Sequence, residues 1–262
     1  MTTYIDYLLH LADNAVVMGQ RNGEWCGLGP ILEEDIALAN ISLDYIGQAR
    51  LLYQLAAELK GAGATEDTLA YFRNEQQYLN YTLVELPHRG AMSGYASADR
   101  DYAVTIACNF LYSALMVLVW DKLQASSDKT LAAIAEKSLK EVRYHLRHTR
   151  NWLVRFGDGT QESHDRVQAA INHLLPYTEE FWTSSPAEQA ALEAGVAVDV
   201  ASLRADWDEI VNSALIEATL TRPDVVAGAY VTEGKKGLHS EHLGYLLSEM
   251  QSLARAHPGC TW

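Results

Sequence analysis

The chain has 262 residues, of which 48% are hydrophobic and 21% are charged, so it has enough apolar material for a sizeable core. Its formal net charge of −14 argues against a nucleic-acid partner, because phosphate binding needs a basic surface. The six prolines disfavour a loop-rich all-β fold. The three cysteines are odd in number and far apart, which predicts reduced thiols rather than a disulfide framework.

Apolar residues recur at helical spacing along nearly the whole chain. Gly61 and Gly157 follow two long periodic segments, as residues that end helices do, and Pro176 predicts a break in another. The loop Thr221–Gly237 carries Lys235 and Lys236 and is expected to be exposed and mobile. The pattern predicts eight helices: Tyr4–Gln20, Leu32–Leu59, Asp67–Val84, Asp99–Gln124, Lys129–Phe156, Glu162–Phe181, Asp199–Leu220 and Leu238–Ala256.

One segment, Ala103–Trp120, has 18 residues without a charge, which is the lower limit for a membrane span. Polar residues such as Asn109 interrupt it, and Asp101 and Asp121 bracket it. We therefore interpret it as the central helix of a soluble bundle, apolar all round because other helices surround it. The first eleven residues lack an early Lys or Arg and do not form a signal peptide, so we expect a cytoplasmic protein without a membrane partner.

Four of the predicted helices are long enough to form a bundle, which predicts an all-α, four-helix architecture with additional helices in a single domain over residues 1–262. Bundles of the ferritin-like type bind two iron ions with a Glu from each of two helices and Glu-x-x-His from each of the other two. The i, i+3 spacing places both side chains of that motif on one helix face. Neither helix where the motif is expected contains an intact copy.

Two stretches of the chain are similar to a known family, namely residues 43–48 with 51–53, and residues 140–148. The chain resembles the subunits of the bacterial phenylacetyl-CoA 1,2-epoxidases, which pair a catalytic di-iron subunit with a related structural subunit. The resemblance covers essentially the whole length, including residues 23–25 and 237–244, and it is closest to the structural subunit. It implies a ferritin-like bundle.

The chain departs from the catalytic pattern at the positions of the metal ligands. In the segment Asp44-Tyr45-Ile46-Gly47-Gln48, Tyr45 stands where the catalytic subunit has Glu, and Gln48 stands where it has His. Val142 replaces the Glu of the later motif, while His145 remains.

Two further helices add only weak or neutral candidates for metal ligands. The central helix offers Asn109 and Ser113, and the first helix offers Asp13 and Asn14. A di-iron centre needs several anionic ligands, so we predict a degenerate site without metal in this chain. A neutral or paired hydrogen-bond network is expected to fill the vacated core, with Asp44–Gln48 and Glu141–His145 as candidate pairs.

The resemblance implies a structural subunit in a stable heteromer with the homologous di-iron subunit. Other epoxidase subunits and an NADPH-dependent reductase with FAD and an iron–sulfur cluster would complete the complex, which acts on phenylacetyl-CoA. This chain would carry no cofactor of its own.

Two alternatives to the structural subunit remain at this stage. One is an active metalloenzyme with a non-standard site built from Asp44, Glu141, His145 and His148. The ordinary interpretation of these residues is that Glu141 pairs with a nearby Arg or His on its own helix. The other alternative is a helical scaffold unrelated to oxygenases.

Two polar and aromatic patches are candidate contacts for a coenzyme A ester or a neighbouring subunit. Their residues carry amide or phenol groups that could bind polar parts of the ester without charge. An ordinary amphipathic helix and a proline kink explain the same patterns. The candidates are Gln76, Gln77, Tyr78, Leu79, Tyr177 and Thr178.

Overall fold

The computed structural model describes residues 2–89, 100–225 and 232–260, and in these ranges it contains ten α-helices. The described residues form no strand, only two isolated bridges, so the predicted all-α, ferritin-like fold class is confirmed. The helices are α1 (Thr2–Gly23), α2 (Leu32–Lys60), α3 (Glu66–Tyr71), α4 (Thr82–Glu85), α5 (Tyr102–Leu123), α6 (Lys129–Gly157), α7 (Gln161–Leu174), α8 (Pro186–Glu193), α9 (Arg204–Glu217) and α10 (Glu241–Ala256).

Local sequence signals set the ends of the long helices. Three acidic residues stand in the first turn of α2, where they face the positive end of the helix dipole. The helix ends at Gly61, whose φ of 63° favours glycine. Asp128 caps α6 by accepting hydrogen bonds from two backbone N–H groups. These two helices match their predicted bounds within one residue.

The single helix predicted over Asp67–Val84 is wrong. The segment forms α3, a 3₁₀ turn at Glu75–Gln77, and the single turn α4. Side chains of α1 take the backbone donors that a continuous helix would have used: Leu79 N–H donates to Asp13 at 2.8 Å, and Tyr81 N–H donates to Asn14 at 2.8 Å.

Other boundaries differ from the prediction for local reasons. Pro176 does break the helix after Leu174, and a 3₁₀ helix, Leu175–Trp182, follows. The sequence interpretation missed α8, although Ser185 forms a capping box there and Pro186 occupies the first turn. The predicted start at Asp99 and part of the loop Thr221–Gly237 lie outside the described residues.

The chain divides into two compact units, whereas the expectation of one domain over residues 1–262 stays a prediction. Unit 1 comprises Met1–Pro87, Ser185–Ala197 and Thr232–Trp262, and unit 2 comprises His88–Ser184 and Val198–Val231.

Each unit is built on one antiparallel pair of long helices. In unit 1, the α1–α2 contacts run from Asp13 with Tyr53 to Gly19 with Ser42, so the two helices have opposite directions. In unit 2, Tyr102 contacts Trp152 at one end of the α5–α6 pair, while Asp121 approaches Arg143 towards the other.

Helix α5 is long and apolar enough to pass a composition test for a membrane span, but 89% of its most apolar window is buried inside the protein. A core helix passes the same test. The burial favours the predicted role of a central helix, and Trp207 Nε1 donates a 3.1 Å hydrogen bond to the carbonyl of Leu111 in its middle.

Candidate functional site

The fully buried carboxylate of Asp13 lies at the centre of unit 1. Arg73 contacts both of its oxygens, the longer hydrogen bond measuring 3.1 Å, and the hydroxyl of Tyr53 donates to it at 2.6 Å. With the backbone N–H of Leu79, the carboxylate has donors on every side. An internal guanidinium therefore supplies the positive charge that a buried carboxylate requires.

Arg73 is itself held from several directions. Its Nε donates to the carbonyl of Leu69 and its Nη1 to the carbonyl of Gln77, both at 2.6 Å, and its guanidinium lies 4.3 Å from the ring centre of Tyr78. Burial by itself would lower the pKa of Arg73, but Asp13, together with Tyr53 and Tyr78, outweighs burial and raises that pKa. The cation at this position is permanent.

Two aromatic hydroxyls near this ion pair stay protonated. Burial, with the Asp13 carboxylate as the next cause, raises the pKa of Tyr53 well above its usual value. Burial also raises the pKa of Tyr78, which donates its hydroxyl to the carbonyl of Ala70 and accepts from Gln251 at 3.0 Å. These groups act as hydrogen-bond donors rather than as proton acceptors.

The other positions of unit 1 that are predicted to belong to a degenerate metal site are closely packed. Asn14 accepts from Tyr81 N–H and donates to the carbonyl of His10 at 2.8 Å, so its amide is used by the fold. On α2, Tyr45 and Gln48 are buried and Asp44 is half-buried.

In unit 2, the predicted degenerate positions Ser113, Val142 and His145 are fully buried. The polar side chains next to them on the same helices bond to their own backbone: Asn109 donates to the carbonyl of Thr105 at 2.9 Å, and Thr149 donates to that of His145 at 2.8 Å.

Glu141, a candidate ligand in the alternative metal site, pairs with Lys137 at 2.7 Å, a partner that the sequence interpretation did not name. Within the described ranges, no group of three or more His, Cys, Asp and Glu side chains is arranged to hold a metal ion.

A second ion pair in unit 1 corrects the prediction for the loop Thr221–Gly237. Lys235, expected to be exposed, is only 7% exposed and lies 3.0 Å from Glu188 of α8. His10 approaches the same carboxylate at 3.9 Å. Burial, more than any neighbouring charge, lowers the pKa of His10, so this histidine is neutral beside the Lys235–Glu188 pair.

A third buried pair joins Glu85 to His239. The ring of His239 lies between two acceptors, with Nδ1 2.7 Å from Glu85 and Nε2 2.8 Å from the carbonyl of Tyr78. Both nitrogens must donate, so the ring is an imidazolium. Burial alone would lower its pKa, but the hydrogen bond to Glu85 and that carboxylate's charge raise it. The next residue, Ser240, caps α10 by accepting a hydrogen bond from the backbone N–H of His242.

The candidate substrate contacts separate into two groups. Gln76 and Gln77 are exposed, while Leu79 and Tyr177 are half-buried. Tyr78 and Thr178 are buried and donate to backbone carbonyls within three to eight residues. Substrate contact at these positions stays a prediction. Gln76, Gln77, Leu79 and Tyr177 present accessible surface, whereas Tyr78 and Thr178 do not.

The fold and these sites define a helical, ferritin-like protein in which the α1 carboxylate is neutralised by a protein cation. The family of phenylacetic acid catabolic proteins matches residues 1–262, and the chain belongs to that family. It is 47% identical over 256 residues to the C component of the 1,2-phenylacetyl-CoA epoxidase of Escherichia coli (strain K12). That alignment covers 98% of each chain.

Proposed function

We propose that this chain is the structural, non-catalytic subunit of a phenylacetyl-CoA 1,2-epoxidase in aerobic phenylacetate catabolism. It forms a stable heteromer with a homologous catalytic subunit that holds the di-iron centre, in the cytoplasm. A reductase with FAD and an iron–sulfur cluster supplies electrons from NADPH. The complex then inserts one oxygen atom from O₂ into the aromatic ring of phenylacetyl-CoA.

The observation that carries the proposal is the saturation of Asp13. Two N–H groups of Arg73, the Tyr53 hydroxyl and the Leu79 N–H donate to this carboxylate, which leaves a metal ion no free lone pair. The other ligand positions named in the sequence add little charge, since Tyr45, Gln48 and Val142 are neutral. The identity with an epoxidase component supports the same role and argues against an unrelated helical scaffold.

One exposed face of α2 fits a stable partner. Leu32, Ile36, Leu43 and Ile46 are 72%, 52%, 65% and 41% exposed, and their spacing places them within about 80° around the helix. Exposed apolar side chains of this size that follow one face of a helix favour a protein–protein contact. We assign this α2 face to the heteromer with the catalytic subunit.

The test measures iron content and molecular mass for the chain alone and for the chain expressed together with the catalytic subunit. We expect a metal-free chain alone, and an iron-containing heteromer with epoxidase activity when both are present. Iron and oxygen chemistry in the chain alone would establish the alternative site, and Asp44, Glu141, His145 and His148 would then be mutated first.

A surface variant tests the assigned face. Leu43→Asp should weaken the heteromer at least tenfold, because it places a charge in an apolar contact. Ile216→Asp on α9 is the matched control, since Ile216 is 77% exposed and lies in the other unit. Equal weakening by both variants would show that α2 has no special role.

A further inference from the structure

Helix α6 carries an unusual share of the protein's positive charge. It has seven Lys or Arg and two Glu, whereas the rest of the chain has 13 Lys or Arg and 32 Asp or Glu. The charge therefore changes sign on this one helix. A basic region on an otherwise strongly acidic protein creates a local field that attracts anionic surfaces.

The positive side chains of α6 lie on one exposed face. Lys137, Lys140 and Arg143 have 56%, 71% and 60% of their side chains exposed, and Arg147 and Arg155 continue the same face at helical spacing. We call these five residues the basic face. Their opposite side is buried against the core of unit 2 through residues such as Val142.

Aromatic side chains pack against the arginines of the basic face. Tyr144 is 43% exposed, stacks on the ring of His148 at 5.9 Å, and lies beneath the guanidinium of Arg147 at 5.5 Å. Arg155 lies 5.2 Å from the ring of Trp152. Arginine and tyrosine are the residues that dominate the energy of protein interfaces, and stacking holds these side chains in fixed positions before a partner binds.

The pairs that the basic face makes within the chain are weak ones. Lys137 with Glu141 and Lys140 with Glu136 are i, i+4 pairs on an exposed helix, and Arg143 reaches Asp121 only at 3.5 Å. Such pairs contribute little to stability and exchange readily with water or with another carboxylate. The face is thus able to change partners at little cost.

We propose that the basic face of α6 is the docking surface for an acidic protein that binds transiently, namely the reductase component of the complex. The inference rests on the proposed function, because that function supplies the reductase. Complementary charge accelerates the encounter of proteins that must bind and leave in every turnover, and such complexes have small, charged interfaces. The apolar α2 face has the opposite character and fits the permanent partner.

The experiment compares Arg147→Glu with Arg166→Glu in the reconstituted complex. Arg166 is a matched control, because its side chain is 57% exposed on α7 of the same unit and pairs with Glu162 at i, i+4. At about 30 mM salt, Arg147→Glu should raise the KM for the reductase about fivefold with kcat unchanged, and at about 500 mM salt the difference should disappear. Arg147→Lys should keep most of the wild-type KM.

Several results would overturn the inference. One is an unchanged KM, or an equal change in Arg166→Glu. Another is a changed KM for the acyl-CoA with an unchanged KM for the reductase, which would assign the face to a small phosphate-bearing anion. The last is a salt-dependent change in the mass of the chain alone that Arg147→Glu abolishes, which would assign the face to a second copy.

Direct binding separates this inference from the proposed function. The immobilised chain, without the catalytic subunit, is exposed to purified reductase at both salt concentrations. Binding that weakens about fivefold in Arg147→Glu supports the basic face even where no heteromer with a catalytic subunit forms. A heteromer that forms normally while the reductase shows no binding to this chain, alone or in the complex, would overturn the docking surface and leave the proposed function standing.

Discussion

The two units differ in how many charged side chains they bury. Among the described residues, unit 1 buries seven acidic or basic side chains: Asp13, Arg21, Glu34, Arg73, Glu85, Glu188 and Lys235. In the described part of unit 2, Glu180 is the only buried side chain of these types. Where α1 keeps a carboxylate, the chain supplies Arg73 as its cation. Where the later helices have Ser113 and Val142, no cation is needed, and neutral packing suffices.

The buried pairs of unit 1 also join distant parts of the chain. Asp13 and Arg73 are 60 residues apart, Glu188 and Lys235 are 47 apart, and Glu85 and His239 are 154 apart. Such pairs contribute little net free energy, because desolvation offsets their attraction, but an unpaired member is costly. We infer that they fix the arrangement of non-helical segments, which lack the regular backbone bonding of α1 and α2.

The largest expected effect comes from adding charge to both units without a cation. The triple variant Tyr45→Glu, Gln48→His and Val142→Glu introduces, at three buried positions, the ligand types that the resemblance predicts for a catalytic subunit. Each new carboxylate costs several kcal/mol when buried and unpaired, so the metal-free variant should unfold at much lower temperature or fail to fold. Differential scanning calorimetry of the metal-free protein measures this.

A control with the same chemical change outside the core keeps that prediction specific. Leu43→Glu and Ala133→Glu place a carboxylate at exposed positions on the same two helices, α2 and α6. They should change stability by about 0.5 kcal/mol or less each. Unchanged stability in the triple variant would mean that the buried positions tolerate charge, and the contrast between neutral and charged interiors would fail.

The next largest effect is the loss of one member of the central pair in unit 1. Arg73→Met leaves Asp13 buried without its cation and should lower the free energy of unfolding by about 3–5 kcal/mol. Arg73→Met combined with Asp13→Leu should lose much less than the sum of the two single variants. Urea denaturation of the four proteins gives the coupling energy.

An exposed pair provides the reference for that cycle. Glu162 and Arg166 lie 2.8 Å apart with 75% and 57% of their side chains exposed, and their coupling should be below about 1 kcal/mol. A coupling of the same size for Asp13 and Arg73 would show that the buried pair behaves as a surface pair.

The sequence predicts the helices better than it predicts what lies between them. Long periodic segments with clear end signals, such as α2 and α6, match their predicted bounds within one residue. The local composition of residues 72–81 fits a helix, which is why the sequence predicts one there. The segment departs from a helix because Asp13 and Asn14, more than 60 residues away, bind its backbone. No local signal reports such a contact.

The sequence predicts that a paired hydrogen-bond network replaces metal ligands, but it does not predict which residues form the pairs. The resemblance predicts that Tyr45 and Val142 stand where a catalytic subunit has Glu, and it predicts a paired hydrogen-bond network in their place. Arg73, Glu188 and Lys235 look like ordinary surface charges in the sequence, because periodicity does not identify a buried cation. Their burial depends on partners that other segments bring to them.

A smaller effect concerns the charge state of His239 in unit 1. Its pKa is raised in the folded protein above the usual value of about 6.5. The pair with Glu85 therefore contributes fully below about pH 6.5, and its contribution, about 2 kcal/mol for a charge-assisted bond, is lost as pH rises through the folded pKa. Burial lowers the pKa of His10, so the pH dependence of its contribution to stability has the opposite sign. That contribution is lost as pH falls.

The pH profile of unfolding separates the two histidines. His239→Gln should lower stability on the acidic side of about pH 6.5 without changing its slope there, and should flatten the decline of stability on the alkaline side. His10→Gln should act on the acidic side only. A His239→Gln profile parallel to the wild type would show that the imidazolium makes no pH-dependent contribution.

The smallest expected effect tests whether unit 2 depends on local bonding where unit 1 depends on distant pairs. Asp128 accepts hydrogen bonds from the N–H groups of Thr130 and Leu131 at 2.8 and 3.0 Å and places a negative charge at the start of α6. Asp128→Ala should lower the free energy of unfolding by about 1 kcal/mol, and Asp128→Asn by less, because Asn keeps the acceptor. Urea denaturation measures both. An equal loss in Asp128→Asn and Asp128→Ala would contradict a capping hydrogen bond, since both variants remove the charge and only Asn keeps an acceptor for the N–H groups of α6.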